Sequence, residues 1–370
     1  MPFLLSTVTF LVLIGVVVVV HELGHLIVAR MNGVFCEAFS LGFGSVLFKK
    51  KDKRGTEWRI SLLPLGGYVK MLGDADVSSV REVIPEGYTE EDMERMSAHR
   101  KKPWQQLLIA AGGPFANFIF AIFAFFALST INGLPEYSNT ISVATEQNLA
   151  YKAGLRSGDT IVKANDVDVS NFTDIVNQVK RSVGKSLKLD ILRHNTPITL
   201  DIEMYEKEGT KVKPISSLGI SPKGYKYRKV TVWKALSSSV KITYNVAYKN
   251  MEGIFKMATG AMSTKNVGGI ISIFKVSSDS AEAGISSFVT MIAMISVILG
   301  AINLLPIPVL DGGMVAISMI EWVIGRPLNK KLVNTIFTIG MIAVMGLMLL
   351  GMWNDLVNIK VFSWMENLFK

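Results

Sequence analysis

Two histidines and a glutamate with helical spacing are the residues best suited to chemistry in this chain of 370 residues. In the stretch His21-Glu22-Leu23-Gly24-His25 the two imidazoles lie four positions apart. Residues i and i+4 share one face of an α-helix, so both rings can bind one zinc ion. Glu22 stays near that face, where its carboxylate could take a proton from a zinc-bound water and hand it to a leaving amine. The pentad therefore predicts a hydrolytic zinc site.

The two histidines need a third ligand, because a catalytic zinc usually has three protein ligands and one open position. The other two histidines, His99 and His194, fall in polar segments, and the third histidine of the metzincins is absent. Asp311 is the better candidate, since a carboxylate within an apolar segment is costly and usually functional. Prolines before it and glycines after it interrupt the helix, which could turn Asp311 toward the metal. The alternative, that Asp311 caps the short helix beginning at Gly312, stays open.

The elements that must hold these residues are apolar helices. A hydrophobic content of 49% and a mean hydropathy of +0.36 are too high for an ordinary soluble protein and indicate a polytopic α-helical membrane protein. Charge-free runs predict four transmembrane helices. The predicted segments are 1–33 with the zinc pentad, 107–131, 285–331 with Asp311 and a following short helix, and 332–352. The first run lacks a basic residue before it and a small-residue cleavage site, so we expect no cleaved signal peptide.

The basic residues nearest these runs predict the orientation of the chain in the membrane. They all fall on one side: Arg30, Lys49–Lys51, Arg100–Lys102, Arg326, Lys330 and Lys331. That side should be cytoplasmic, which places both termini and the long segment 132–284 outside. The net charge of +9 suits contact with membrane lipid, and nothing in the chain resembles a nucleic-acid-binding module. Cys36 is the only cysteine, so no intramolecular disulfide can form.

The segment 34–106 lies between the first two predicted helices and is rich in strand-like runs. The runs Phe39–Gly44 and Glu57–Met71 are apolar or alternating and are punctuated by glycine and proline, which predicts strands and turns. Beside the zinc helix, such strands would form a β-loop that re-enters the membrane, where irregular backbone is tolerated only next to protein or a water-filled cavity. The last residues, 353–370, are expected to form a C-terminal tail.

The outer segment divides into a small domain and a helical linker. Residues 137–224 alternate strand-like runs with one amphipathic helix, and Ala153–Ile161 followed by Asn165-Asp166 resembles the signature of bacterial PDZ domains. An α+β PDZ domain would bind a peptide or protein ligand as an added strand, and we expect Ala153, Gly154 and Leu155 to contact it. An ordinary small β-rich domain is the alternative. Residues 225–284 predict amphipathic helices that lie on the outer membrane face, pack against the spans or form a solvated linker.

Four segments in order together resemble the site-2 protease family of intramembrane zinc metalloproteases, most closely its bacterial branch. They are the His21–His25 pentad, Gly66–Met71, Gly113–Asn117 and Pro306–Gly313. The resemblance covers nearly the whole chain, and the pairing of HExxH with an LDG motif is highly specific.

By that resemblance His21, His25 and Asp311 bind one Zn²⁺ per chain, Glu22 is the acid and base, and Asn303 contacts the substrate backbone. The family's re-entrant β-loop would correspond to Gly66–Met71. We expect Leu65, Gly66, Gly67 and Tyr68 to bind substrate, with an extended substrate segment pairing to the strand around them.

The sequence also departs from the best-known members of the family. There is room for one PDZ domain where they carry two, and Met314 stands where a histidine is common in relatives. Because a thioether is a poor zinc ligand, we expect no metal role for Met314.

The resemblance implies cleavage of single-span membrane proteins in a bacterial inner membrane. Substrates would be anti-sigma factors after a first cut and remnant signal peptides, as in regulated intramembrane proteolysis. Two other functions remain as alternatives. One is a membrane-anchored zincin that cuts cytosolic proteins, and the other is a non-catalytic PDZ-bearing scaffold or transporter subunit.

Overall fold

A computed structural model of the chain describes residues 3–74, 83–143, 145–208, 211–263 and 268–358. The expected tail 353–370 lies mostly outside these residues, as does part of the charged loop after Asp74. The chain forms two compact units. Unit 1 comprises Met1–Leu128 and Leu236–Lys370, and unit 2 comprises Ser129–Ala235.

Four helices within the described ranges are long and apolar enough to cross a membrane, as the sequence predicted. They are α1 (Phe3–Met31), α3 (Pro103–Ile131), α8 (Ile285–Asn303) and α10 (Lys330–Asn358). α3 begins four residues before the predicted limit, at Pro103, because proline suits the first helical position, where its missing amide costs nothing. The chain is therefore a membrane protein that also carries a domain rich in β-strands.

The segment between α1 and α3 forms a sheet from two long strands. These are β1 (Cys36–Lys51) and β2 (Glu57–Met71). Phe39 lies opposite both Val69 and Trp58, and Trp58 also lies opposite Lys50, so the strands fold into four rows. In order, the rows are 46–51, 57–61, 38–41 and 67–71. Among the described residues, row 67–71 pairs on one side only and forms an edge of the sheet.

The sheet is fixed to α1 by an apolar cluster and an ion pair. Phe39 and Val69 pack against Leu26 of α1. In the β1–β2 turn, Asp52 accepts a hydrogen bond from Arg30 of α1 at 2.5 Å. Burial raises the pKa of Asp52, but hydrogen bonds from Arg30, the Trp58 indole and two backbone amides outweigh it and lower this pKa to about 2. The β1–β2 turn is therefore held beside the C-terminal end of α1.

The described part of unit 1 contains further helical elements. They are α2 (Glu90–Met96), a single 3₁₀ turn (Ala98–Arg100), α6 (Val232–Ala258), α7 (Ile270–Glu282) and α9 (Asp311–Ile324). The first residues of α6 belong to unit 2. α6 and α7 occupy the segment for which amphipathic helices were expected. Val246 of α6 packs against a cluster from α3 and α8, and Phe274 of α7 lies 5.6 Å from Phe10 of α1, centroid to centroid. Both helices thus pack against the spans.

Unit 2 is an α+β domain with one core. Its strands are β3 (Leu134–Tyr137), β4 (Ile141–Val143), β5 (Thr160–Ala164), β6 (Val167–Asp168), β7 (Ser186–Arg193), β8 (Thr196–Glu203), β9 (Tyr205–Glu208), β10 (Lys211–Pro214), β11 (Ile220–Pro222) and β12 (Tyr225–Arg228). Its helices are α4 (Leu149–Lys152) and α5 (Phe172–Arg181). The largest sheet has the order β6-β5-β7-β8, and β4 pairs with β11 in a separate two-stranded sheet. Ile175 of α5 and Ile191 of β7 are fully buried in the core.

Candidate metal centre and active site

The structure brings together the three side chains that the sequence analysis selected as metal ligands. His21 Nε2 lies 3.0 Å from Asp311 Oδ2, and His25 Nε2 lies 3.4 Å from Asp311 Oδ1. The two Nε2 atoms lie 3.3 Å apart. Both histidines are buried. The two histidines and Asp311, which follows His21 by 290 positions along the chain, thus turn their ligand atoms to one point.

These separations match those of tetrahedral zinc. With metal–ligand bonds of about 2.0–2.1 Å, neighbouring ligand atoms of a tetrahedron lie about 3.3 Å apart. The space beside them is also kept open, since a methyl group on Gly113 would lie 2.3 Å from His25 Nε2 and 2.8 Å from His21 Nε2. The residues present therefore fit a zinc ion with two imidazoles and one carboxylate as ligands.

Two helices place the three candidate ligands. His21 and His25 are one helical turn apart in α1, so their rings project from one face. Asp311 is the first residue of α9, whose N-cap is Leu310. The alternative that Asp311 serves as the helix cap is therefore wrong, because its carboxylate faces the histidines instead of the α9 amides. The preceding Val309 has a φ of +83°, a strained conformation for a β-branched residue, of the kind that clusters at functional sites.

The outward-facing nitrogens of both histidines contact α3. His25 Nδ1 lies 2.8 Å from the Ile109 carbonyl, which can only accept, so Nδ1 carries the proton and Nε2 offers its lone pair. His21 Nδ1 lies 3.1 Å from the side-chain amide of Asn117. From the sequence, Asn117 was named only as part of the Gly113–Asn117 motif and no role was predicted for it. A usable signal was present, since Asn117 is the sole strongly polar side chain between residues 107 and 128.

Glu22 lies between this cluster and the edge row of the sheet. A methyl group on Gly67 would come within 3.2 Å of Glu22 Cγ, so the β2 backbone passes directly beside the glutamate. The backbone of Val69 also interacts with the Glu22 carboxylate. Asn303, at the end of α8, lies 3.3 Å from His21 Nε2 through its amide nitrogen. The expected acid/base residue and the expected substrate-contacting asparagine therefore both border the cluster.

The predicted substrate strand lies beside the site through its backbone. Gly66 has a φ of +130°, and Gly67 faces α1. Tyr68 stacks on Phe43, with ring centroids 6.0 Å apart, and by strand alternation points to the face of the sheet away from Glu22. The side chain of Leu65 lies outside the described residues. What row 67–71 offers next to Glu22 is therefore an edge of backbone amides and carbonyls.

Ala153, Gly154 and Leu155, which we predicted to contact a peptide ligand, lie in a turn of unit 2 that is hydrogen-bonded within the unit. Their backbone amides already donate to carbonyls of Leu149, Tyr151 and Ala150, respectively, in the turn after α4. The Leu155 side chain is fully buried in the core of unit 2. The Gly154 carbonyl accepts a hydrogen bond from Arg193. The motif therefore contributes to the packing and hydrogen bonding of unit 2, and its contact with a peptide stays a prediction.

Comparison with known proteins gives one consistent result. Residues 9–347 match the sequence model of peptidase family M50. Metalloprotease MmpA of Caulobacter vibrioides is 31% identical, with 99% of this chain and 99% of that protein covered. Regulator of sigma-E protease RseP of Escherichia coli is 30% identical, covering 96% of this chain and 99% of RseP. Zinc metalloprotease RasP of Bacillus licheniformis is 28% identical, covering 95% of this chain and 98% of RasP.

Proposed function

The chain belongs to peptidase family M50, the site-2 proteases, and is a membrane zinc metalloprotease; from this premise we propose that it cleaves single-span membrane proteins within the bilayer. One observation carries the proposal. The His21, His25 and Asp311 ligand atoms meet among apolar helices, where a protease of soluble substrates would need a hydrophilic catalytic domain.

The depth of the site supports cleavage toward one side of the membrane. At 1.5 Å per residue, His21 lies about 27 Å along α1 from Phe3 and about 14 Å from Arg30. We place the Arg30 end in the cytoplasm and both termini and unit 2 outside, in a bacterial inner membrane. The sheet supports this level, because Lys49 lies opposite Arg59 while the next pair inward is Phe48 and Ile60, both largely exposed and apolar. Such a change from charged to apolar suits the headgroup boundary.

We assign roles to the residues of the site as follows. His21, His25 and Asp311 hold the zinc ion. When bound, zinc supplies a Lewis acid that polarises the scissile carbonyl and acidifies water. The Glu22 carboxylate accepts the proton of the attacking water and passes it to the nitrogen of the leaving amine. The Asn303 amide donates a hydrogen bond to the substrate backbone beside the scissile bond.

A helical substrate must unwind before it can be cut, and the sheet edge offers a replacement for its lost hydrogen bonds. We propose that the unwound segment adds as a strand to the edge of β2 from Leu65 to Val69. Gly66 and Gly67 carry no side chain there, so a substrate backbone can approach closely. The site's apolar walls keep bulk water from the unwound segment.

Anti-sigma factors after a first cut and remnant signal peptides are the substrates that we propose. Both are short single-span stubs with little mass outside the membrane. The relative RseP is named a regulator of sigma-E protease, which supports the first class. Regulated intramembrane proteolysis would follow from this choice.

Unit 2 is proposed to be a PDZ domain that binds a peptide or protein ligand by strand addition. The supporting features are its four-stranded sheet, the amphipathic α5 and the two-stranded β4–β11 sheet. Since the amides of the Ala153–Leu155 turn are hydrogen-bonded within the unit, the added strand needs another edge. β11 pairs only with β4 among the described strands and follows Gly219, whose φ is +75°. We place the added strand there.

Cleavage of a membrane-embedded reporter tests the proposal. Full-length protein in lipid vesicles should cleave a single-span reporter, and Glu22→Gln should retain about one zinc per chain while losing turnover. A scaffold would purify without stoichiometric zinc. A zincin acting on cytosolic proteins would cut an unfolded soluble protein but spare the reporter, and either result would contradict the proposed function.

A further inference from the structure

Asn117 is a fully buried polar residue where three spans meet. Its backbone carbonyl accepts a hydrogen bond from Ser296 of α8 at 3.1 Å. A methyl group on Gly300 of α8 would contact its Cβ at 3.3 Å. Its side chain points to α1, where the amide nitrogen lies 3.1 Å from His21 Nδ1. Asn117 therefore touches a presumed zinc ligand from the side opposite the metal.

The hydrogen bonds at this contact are incomplete. The Asn117 Oδ1 atom is buried and has no hydrogen-bond partner among the described residues. Leaving a buried acceptor unsatisfied costs about 1–3 kcal/mol. The oxygen and nitrogen of a side-chain amide are assigned from their hydrogen bonds and exchange places when the amide rotates by about 180°. The orphan oxygen thus points to a second orientation of this amide.

The chemistry of zinc ligation selects that second orientation. With Nδ2 donating to His21 Nδ1, the ring proton must sit on Nε2, the atom that faces Asp311 at 3.0 Å. A ligating Nε2 needs its lone pair, so the proton must move to Nδ1, which then needs an acceptor. Rotation of the amide brings Oδ1 to that place, where it accepts the proton of His21 Nδ1, and moves Nδ2 to the position that Oδ1 held.

We propose that Asn117 is a positioning residue that accepts the Nδ1–H of His21 through Oδ1 and so fixes the ring and tautomer that bind zinc. This inference rests on the proposed role of His21 as a ligand. The Ile109 carbonyl serves His25 in the same way at 2.8 Å. One helix, α3, then orients both histidines of α1, and residues without metal contact control how tightly the metal is held.

Zinc affinity of the purified full-length chain tests this role, measured by competition with a chelator. Asn117→Leu keeps the size but removes the acceptor, and zinc binding should weaken by about 10- to 100-fold, the usual effect of losing such a partner. Asn117→Asp keeps an acceptor and should bind within about threefold of the native chain. Ser296→Ala is the matched control. Ser296 contacts the backbone carbonyl of Asn117 and not its side-chain amide, so this variant should bind zinc normally.

Native affinity in Asn117→Leu would overturn the proposal, and so would Asn117→Asp as weak as Asn117→Leu. If Asn117→Leu fails to fold, ¹⁵N NMR of the zinc-loaded native chain decides, since His21 Nδ1 should be protonated and an unprotonated Nδ1 refutes the role. Failure of the proposed function is separable. A native chain that binds zinc but spares the membrane reporter would refute the protease assignment, and His21→Ala with native affinity would refute His21 as a ligand.

Discussion

Gly113 of α3 lies so close to His25 of α1 that a methyl group on its Cα would sit 2.3 Å from Nε2. The same methyl would lie 2.8 Å from His21 Nε2. The missing side chain at Gly113 is therefore part of the room in which the three ligand atoms meet.

Gly113→Ala should weaken zinc binding by at least about tenfold, the scale seen when groups that support ligands are altered. The added methyl group would displace both imidazole rings and so change the distances between the ligand atoms. Alanine is otherwise favoured in a helix over glycine by about 1 kcal/mol, so the helix itself should not suffer. Gly15→Ala in α1 is the control, because a methyl there meets nothing within 4 Å. Chelator competition compares the two variants, and equal affinities would refute the steric argument.

Gly67→Ala should reduce turnover by about tenfold or more, which corresponds to a barrier raised by about 1.4 kcal/mol or more, while zinc stays bound. The methyl would lie 2.9 Å from Val18 Cγ1 and 3.2 Å from Glu22 Cγ, which separates the sheet edge from α1. Rates on the membrane reporter are measured beside zinc content. Gly44→Asn is the control, since asparagine tolerates its φ of +84° and a Cβ there would meet only the Leu63 side chain, at an ordinary contact distance of 3.9 Å. Loss of zinc in Gly67→Ala would show that the sheet supports the metal instead.

The clustering of His21, His25 and Asp311 was predictable because its signals are local. Helical geometry alone puts His21 and His25 on one face, and Asp311 stands out as a carboxylate in an apolar stretch. The contacts that orient them were not predictable, since Asn117 and His21 are 96 residues apart and meet only when α1 and α3 pack. An asparagine in an apolar helix predicts that it has a hydrogen-bond partner, but not which residue that partner is.

The sheet and the small domain show a second limit of sequence reasoning. The runs in β1 and β2 predicted strands, but alternation cannot reveal that Phe39 has partners on both sides. In unit 2 the glycine turn at Gly154 was recognised from the sequence, but the hydrogen bonds that its amides make within the unit were not. A turn sequence specifies a backbone path, while the packing of Leu155 and the hydrogen bonds of that path decide whether any group stays free.

Arg193→Met should destabilise unit 2 by about 3 kcal/mol, because it leaves the fully buried Asp159 carboxylate without its partner. Lys188→Met, which removes an exposed pair with Asp166, should destabilise unit 2 much less, because solvent screens that pair. Hydrogen exchange of α5 and β7 in the full chain measures both. Equal effects of the two substitutions would contradict the importance of burial.

The Arg193–Asp159 pair also predicts how the stability of unit 2 responds to acid. Burial raises the pKa of Asp159, but the hydrogen bonds from Arg193 and the Arg156 amide lower it more, so its folded value lies below the ordinary one. The stabilisation is therefore present above the unfolded pKa of about 3.9 and is lost as pH falls through and below it. The protection of unit 2 amides, taken relative to their intrinsic exchange rates at each pH, should fall below about pH 4 in the native chain, and Arg193→Met should show a weaker acid dependence. An unchanged dependence would exclude Asp159 as its source.

Asp355 near the end of α10 caps the N-terminus of α7, a helix far from it in sequence. Its Oδ1 accepts from the Gly269 amide at 3.0 Å, and its Oδ2 accepts from the Ile271 amide at 2.9 Å. The Ser272 amide and hydroxyl donate to the same carboxylate. These are the free amides of a helix start, and an anion there also meets the positive end of the helix dipole.

Asp355→Ala should therefore loosen the first turn of α7, at a cost of about 1–2 kcal/mol for a lost cap. Hydrogen exchange at the amides of Ile271 and Ser272 should rise by about 5- to 30-fold, while α1 and α3 stay protected. Asp355→Asn keeps one acceptor oxygen, so its exchange rates at these amides should lie between those of the native chain and of Asp355→Ala. Asn334→Ala, an exposed position on the same helix, should leave α7 unchanged. Native exchange of α7 in Asp355→Ala would mean that packing against Phe10 of α1, and no cap from α10, holds this helix in place.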